Sequence, residues 1–226
     1  MISKSKRHSV LLVDDHPLIR EAMAQLISLE DDLEVCCQAD NYRDALKLIE
    51  KHHPDVALVD ITLKDASGLE LIPEILSRSP ETRILVLSMH DECLYAERCL
   101  EAGALGYVMK NVSPDKVIAG IRAILAGTVF MSEALKDQMV QRMVGKTQKQ
   151  VKTGMGILTN RELEVFRAIG RGLTTSEIAV ALHLSGKTVQ TYREHIKTKL
   201  NLRHATELIQ RAVQWAEAEN QPAAKK

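Results

Sequence analysis

Residues 10–13, 56–59, 84–87 and 106–109 are short apolar runs, and each is followed by a polar group: Asp14 and Asp15, Asp60, Ser88 and Lys110 respectively. Three carboxylates brought to one place repel one another and hold their protons unless a cation compensates. Oxygen-only ligation with few protein ligands suits Mg2+. The same set holds the parts that phosphoryl transfer to a carboxylate needs. These are a nucleophilic aspartate, a metal to neutralise charge on the phosphoryl oxygens, and a lysine and a hydroxyl to hold the others. Taken singly, each residue has an ordinary reading as a helix cap, a strand end or a solvated lysine. Their coincidence at the ends of successive runs is what points to a site.

The elements that must position these groups follow from the pattern around them. The runs at 10–13, 56–59 and 84–87 are partly β-branched and lack polar alternation, as strands buried on both faces do. Weaker strands fit Leu33–Ala39 and Gly106–Met109. Helical patterns at about 16–29, 41–53, 68–78, 90–102 and 113–126 lie between and after them, with Pro17 and Pro114 at first-turn positions. Five strand–helix repeats predict an α/β doubly wound, five-stranded parallel sheet with helices on both faces. Ligands of such sheets bind outside the carboxyl ends of the strands, where the polar groups fall.

Beyond Gly127 the pattern changes. Residues 133–144 read as a helix, and Gly145 to Gly154, with three lysines and one apolar residue, reads as a linker. The remainder reads as four helices. Thr159-Asn160-Arg161-Glu162 and Thr174-Thr175-Ser176-Glu177 fit the capping box at a helix start. Gly172 suits the turn between those two helices. Ser185 caps a third helix that runs to about Leu200, and a fourth covers roughly 204–218. On the third, Val189, Ile196 and Leu200 share one face and leave Lys187, Gln190, Thr191, Glu194 and Lys197 outside. On the fourth, Leu208, Ala212 and Trp215 form an apolar stripe that either packs in the same domain or serves a dimer.

Composition bounds the partners. Residues 1–132 hold 14 Lys+Arg against 21 Asp+Glu, a net of −7, while residues 133–226 hold 16 against 9, a net of +7. The basic half is therefore expected to meet a polyanion. No apolar stretch of about 18 residues occurs, so no membrane span is expected. The basic start is followed by a strand-like run ending in aspartates rather than a signal-peptide core, which predicts a cytoplasmic protein. Cys36, Cys37, Cys93 and Cys99 show no C-x-x-C spacing and read as reduced thiols. His16, His52, His53 and His90 show no metal-ligand pattern and read as surface or packing residues.

Val13-Asp14-Asp15-His16, Leu58-Val59-Asp60, Leu87-Ser88 and Gly106-Tyr107-Val108-Met109-Lys110 resemble the flavodoxin-like receiver domains of response regulators, over about residues 8–128. The resemblance implies that Asp60 accepts phosphate from the phosphohistidine of a sensor histidine kinase. It also implies that Asp15, Asp60 and the Thr62 carbonyl ligate Mg2+, with Asp14 acting on the metal through water. Lys110 would pair with the phosphoryl group, Ser88 would hydrogen-bond to it, and Tyr107 would be the switching aromatic. The family often has proline after the lysine, where this chain has Asn111.

The segment from Leu158-Thr159-Asn160-Arg161-Glu162 through Gly172-Leu173-Thr174, Glu177-Ile178-Ala179, Leu184-Ser185, Lys187-Thr188-Val189 and Lys199-Leu200 resembles the LuxR-type helix-turn-helix, over about residues 155–217. Residues 129–154 would be the linker, partly helical. The pair of resemblances points to the NarL/FixJ-type response regulators, which are not enzymes but phosphorylation-gated transcription regulators. They imply double-stranded DNA and RNA polymerase as partners and a homodimer on phosphorylation. The third helix would enter the major groove with Lys187, Thr188, Gln190, Thr191, Glu194 and Lys197 at the DNA. Two rival readings are an aspartate-nucleophile phosphatase similar to the haloacid dehalogenases, and a regulator that ignores phosphate. The first requires a second aspartate two residues after the nucleophile, where this chain has Thr62; the second leaves Asp15, Asp60 and Lys110 without a purpose.

Overall fold

The computed structural model describes residues 7–63, 67–89, 92–144, 154–182 and 184–220. The chain divides into two compact units, one of residues 1–146 and one of residues 147–226.

In the first unit five strands, β1 (His8–Val13), β2 (Leu33–Ala39), β3 (Val56–Val59), β4 (Arg83–Ser88) and β5 (Gly106–Met109), form one parallel sheet in the order β2-β1-β3-β4-β5. Between and after them run α1 (Pro17–Ser28), α2 (Tyr42–His52), α3 (Gly68–Arg78), α4 (Glu92–Glu101) and α5 (Pro114–Leu125). Pro17 and Pro114 open their helices, where a missing N–H costs nothing. Alternate strand residues serve two cores. Val10, Leu12, Val56, Leu58, Leu85, Leu87 and Val108 pack with Ile27 of α1 and with Val117, Ile121 and Ile124 of α5. Leu11, Val13, Ala57, Val59, Ile84 and Val86 are equally buried on the other face. Burial on both sides is why these runs show no polar alternation.

The sheet's edge takes up one residue past the boundary expected at 128. Phe130 accepts from the N–H of Tyr107 at 2.8 Å and donates to Leu105 O at 2.9 Å, and Met131 and Leu135 are buried behind it. A helix, α6 (Glu133–Val144), follows at the expected residues. The expected linker at Gly145 to Gly154 lies, up to Thr153, outside the described residues, as does His90.

The second unit begins with a 3-10 turn (Gly154–Ile157) and continues as α7 (Asn160–Gly170), α8 (Thr175–Ala181), α9 (Gly186–Lys199) and α10 (Ala205–Asn220). Both capping boxes form: the Thr159 and Thr174 hydroxyls accept from the N–H of Glu162 and Glu177, whose carboxylates accept from the threonine N–H groups in return. Ser185 accepts from the N–H of Thr188 at 3.0 Å at the start of α9. Gly172, at φ +82°, makes the left-handed turn out of α7 that other residues resist. Leu163, Phe166, Ile169, Ile178, Val189, Ile196, Leu208 and Ala212 form the core. The α10 stripe thus packs within its own domain, and Trp215 stacks at a tilt on Phe166 with centroids 5.7 Å apart.

Candidate functional site

At the carboxyl ends of β1 and β3, where the strand order reverses, the sheet's own hydrogen bonds continue into the acidic residues. Asp60 N–H donates to Val13 O at 2.8 Å, and Asp14 N–H donates to Ala39 O at 3.1 Å. The aspartate backbones are thus fixed like strand residues while their side chains face the crevice. From the end of β5, Lys110 Nζ reaches Asp14 Oδ2 at 2.6 Å and Asp60 Oδ2 at 2.7 Å, with only 4% of its side chain exposed. Lys110 N–H donates to Ser88 O at 2.8 Å, which ties the two neighbouring strand ends together. The other oxygen of Asp60 accepts from Thr62 N–H at 3.2 Å.

Asp60 is 3% exposed. Burial pushes its carboxyl up, Lys110 pulls it back, and the nearby Asp14 charge adds to the rise, leaving it at about 6. It is therefore largely a carboxylate at neutral pH, but a poorly solvated one. Asp15 Oδ1 is buried without a hydrogen bond, although His16 Nδ1 stands 2.7 Å from it. One ligand atom from each of Asp14, Asp15, His16 and Asp60 fits within 4.8 Å, a group that could hold a metal ion.

On α9, Val189 and Ile196 are fully buried, and Leu200 just past its end is half-buried. Lys187, Gln190, Thr191 and Glu194 are exposed, while Thr188 and Lys197 are half-buried. The outer face is knit by local contacts. Gln190 Nε2 donates to Glu194 Oε1 at 3.2 Å, Lys197 Nζ lies 2.8 Å from Glu194 Oε2, and the Thr191 hydroxyl donates to Lys187 O at 3.1 Å. Lys199 turns the other way, to a Glu162 carboxylate 2.7 Å away.

Residues 10–122 match the family described as response regulator receiver domain, and residues 156–212 match bacterial regulatory proteins of the luxR family. The oxygen regulatory protein NreC of Staphylococcus carnosus is 31% identical over 208 residues, covering 90% of this chain and 96% of that protein. A second relative, BvgA of Bordetella pertussis, is 36% identical over 203 residues, covering 89% of this chain and 95% of that protein. The chain belongs to the two-component response regulators. Its halves place it with the NarL/FixJ type, which act as transcription regulators and not as enzymes, so the phosphatase alternative falls. Among solved structures, a LuxR-family response regulator from Aurantimonas is 33% identical with a TM-score of 0.57, over 62% of this chain and 99% of that one. RcsB of Salmonella enterica, bound to a promoter in the presence of a phosphomimetic, shares the fold at 20% identity and a TM-score of 0.63, over 92% and 100%.

In this response regulator the residues singled out at the strand ends converge: Asp14, Asp15, Asp60 and Lys110 meet in one crevice. Ser88 is fully buried beside them, and its side chain hydrogen-bonds the Tyr107 hydroxyl, which burial holds well above the usual tyrosine range. Three contributors escape the sequence reading. His16, set aside as lacking a ligand pattern, joins the acidic cluster because α1 begins immediately after Asp15; its adjacency to two aspartates was the available signal. Arg20, one turn into α1, donates from Nη1 to Asp14 O at 2.6 Å. Gly68 gives no signal at all in sequence. A Cβ there would stand 1.8 Å from Asp60 O, and Gly68 N–H donates to Ile61 O at 2.6 Å, so only glycine lets α3 start this close to Asp60. Among the described residues no helix is long and apolar enough to cross a membrane.

Proposed function

We propose that this response regulator is gated by phosphorylation of Asp60 and binds double-stranded DNA through α9. The observation that carries the reading is Asp60 itself: a buried carboxylate at the strand-order reversal, with a lysine ammonium 2.7 Å from one oxygen. The donor is the phosphohistidine of a sensor histidine kinase. An Asp60 oxygen attacks phosphorus, the P–N bond breaks, and an acyl phosphate remains on Asp60 while the imidazole leaves. Lys110 would exchange a carboxylate partner for a phosphoryl oxygen.

The acidic cluster, with the unbonded buried oxygen of Asp15, fits a divalent cation. Asp15, Asp60 and the Thr62 carbonyl would hold Mg2+, with Asp14 acting through water. Bound Mg2+ neutralises charge on the phosphoryl oxygens. The Ser88 hydroxyl would release Tyr107 to bond the phosphoryl group, which makes Tyr107 the side chain whose position reports the state of the site. On the DNA side, Lys187, Thr188, Gln190, Thr191, Glu194 and Lys197 would face the major groove. Phosphorylation would favour a homodimer on DNA, within reach of RNA polymerase, in the cytoplasm.

The test is direct. After incubation with acetyl phosphate and Mg2+, intact mass should show one added phosphate on the wild type and none on Asp60→Asn. An undiminished phosphate on the variant removes Asp60 from the role.

A further inference from the structure

Cys36 and Cys37 are sequence neighbours on β2, the sheet's edge strand, and in a regular strand their side chains would point to opposite faces. A bulge prevents that. Val10 of β1 pairs with Val35 and the next residue, Leu11, pairs with Cys37, so Cys36 is the extra residue on the bulged strand. The result brings the two Sγ atoms to 3.2 Å from one another, with Cys36 Sγ 3.5 Å from Val10 O. Both thiols are half-buried and unoxidised. We propose that Cys36 and Cys37 form a vicinal dithiol site that captures trivalent arsenic compounds.

Three comparisons of geometry select that ligand. An ordinary disulfide needs Cα atoms roughly 4.4–6.8 Å apart. Neighbouring residues across a trans peptide are held at about 3.8 Å, so the pair resists closure and stays a dithiol. A tetrahedral zinc ion with bonds of about 2.3 Å would hold two sulfurs about 3.8 Å apart and would call for further ligands. The sulfurs are closer than that, and among the described residues the metal-competent cluster includes neither cysteine. Trivalent arsenic is pyramidal, with bond angles nearer a right angle, and two sulfurs 3.2 Å apart match that narrower bite.

The chemistry needs no oxidant. With phenylarsine oxide, hydrated as an arsenic atom bearing two hydroxyls, two As–O bonds break and two As–S bonds form. Each thiol proton leaves with a hydroxide as water, and arsenic stays trivalent. Burial pushes both thiols up, Cys37 to about 12, so neither is a thiolate at neutral pH. Alkylation and peroxide oxidation, which need the thiolate, are slow at such groups, while condensation accepts the protonated thiol.

The experiment uses the full-length protein, phenylarsine oxide and intact mass under non-denaturing conditions, with a glutathione wash and then a dimercaptopropanol wash. The wild type should keep one phenylarsenic through glutathione and lose it to the dithiol. Cys36→Ser and Cys37→Ser should each retain it roughly 100-fold less well against glutathione, because a second sulfur no longer closes the chelate. A Cys93→Ser/Cys99→Ala variant should behave as wild type. The proposal is overturned if wild type takes up no glutathione-resistant adduct, if either single variant keeps it, or if the Cys93/Cys99 variant loses it.

Discussion

The acidic crevice of the receiver and the outer face of α9 both hold opposite charges in contact, but they are assembled over different distances along the chain. Lys110 meets Asp60 across 50 residues of sequence, and both side chains are 4% exposed. On α9 the partners of Glu194 are Gln190 and Lys197, about one turn away on the same helix, with Gln190 and Glu194 open to water and Lys197 half-buried. The first arrangement exists only because five strand ends align, and its charges sit where water cannot replace a lost partner. The second forms wherever the helix forms, and such local pairs contribute roughly 0.3–0.5 kcal/mol. In the proposed function, a phosphoryl group entering the crevice would re-partner charges that strongly require partners. DNA meeting α9 would displace contacts that cost little to give up.

That contrast predicts its largest effect at Lys110. Lys110→Ala should slow phosphate acceptance from acetyl phosphate by roughly 100-fold, the scale for removing one preorganised group that stabilises developing charge. The measurement is a time course of added mass at saturating Mg2+. A rate close to wild type would reduce Lys110 to a counter-ion for the resting crevice and would remove half of the comparison.

The helical domain has a long-range ion pair of its own, buried at its carboxylate end, and it sharpens the contrast. Glu162 is buried, closes the Thr159 capping box, and meets Lys199 at the end of α9 at 2.7 Å. Burial pushes its carboxyl up, but the bonds from Lys199 and Thr159 outweigh that and hold it below the usual glutamate range. Glu162→Gln should cost about 2 kcal/mol at neutral pH, the scale of charge-assisted hydrogen bonds. Because the folded value is depressed, the contribution is complete above the unfolded value of about 4.3 and fades as pH falls through the lower folded value. Urea denaturation of both proteins should therefore show the gap closing in acid. A gap that persists there would assign the loss to packing and not to charge.

The two regions also differ in how much of them could be read beforehand. Strands buried on both faces announce themselves as unbroken apolar runs, and the chemistry-bearing residues at their ends were legible because a parallel sheet aligns those ends. Thr159, Thr174 and Ser185 were legible as caps because capping is decided within four residues. What could not be read depends on approach in space. Gly68 matters because of Asp60 O, Phe130 because β5 has an open edge, and Lys199 because α9 passes the start of α7. The Lys199 side chain turns to Glu162 and not to the face of α9 that holds Lys187 and Lys197. The α10 stripe left core and dimer open as readings, and its burial against α7 decides for core within this domain.

On α9 itself the effects should be smaller and of two kinds. Gln190 can pair bidentately with adenine, but it must first leave Glu194, so its net discrimination should fall at the low end of the usual range. Gln190→Ala should relax preference at one base pair by about 1 kcal/mol, read from a binding-site selection on the phosphorylated protein. An unchanged preference would exclude Gln190 from the readout and leave Thr191 and Glu194 as the residues to test.

Lys197 should give the smallest effect, and its reason lies in the same carboxylate. A lysine that neutralises one phosphate contributes about 0.9 to the slope of log affinity against log salt, without regard to sequence. Lys197 is only 19% exposed and already paired with Glu194 at 2.8 Å, so part of its charge is neutralised before DNA arrives. Lys197→Ala should weaken all sequences by one common factor and lower the slope by only a fraction of that amount. Glu194→Gln should raise the slope by releasing Lys197 toward phosphate, and should alter base preference through the lost acceptor. Salt titrations of wild type and both variants on two unrelated sequences separate these outcomes. If Lys197→Ala changes the preferred base, Lys197 reads the groove directly. If the Glu194→Gln slope stays at the wild-type value, the pair on the helix surface does not compete with DNA, and the weakness ascribed to local contacts on α9 is refuted at the place where it should be easiest to see.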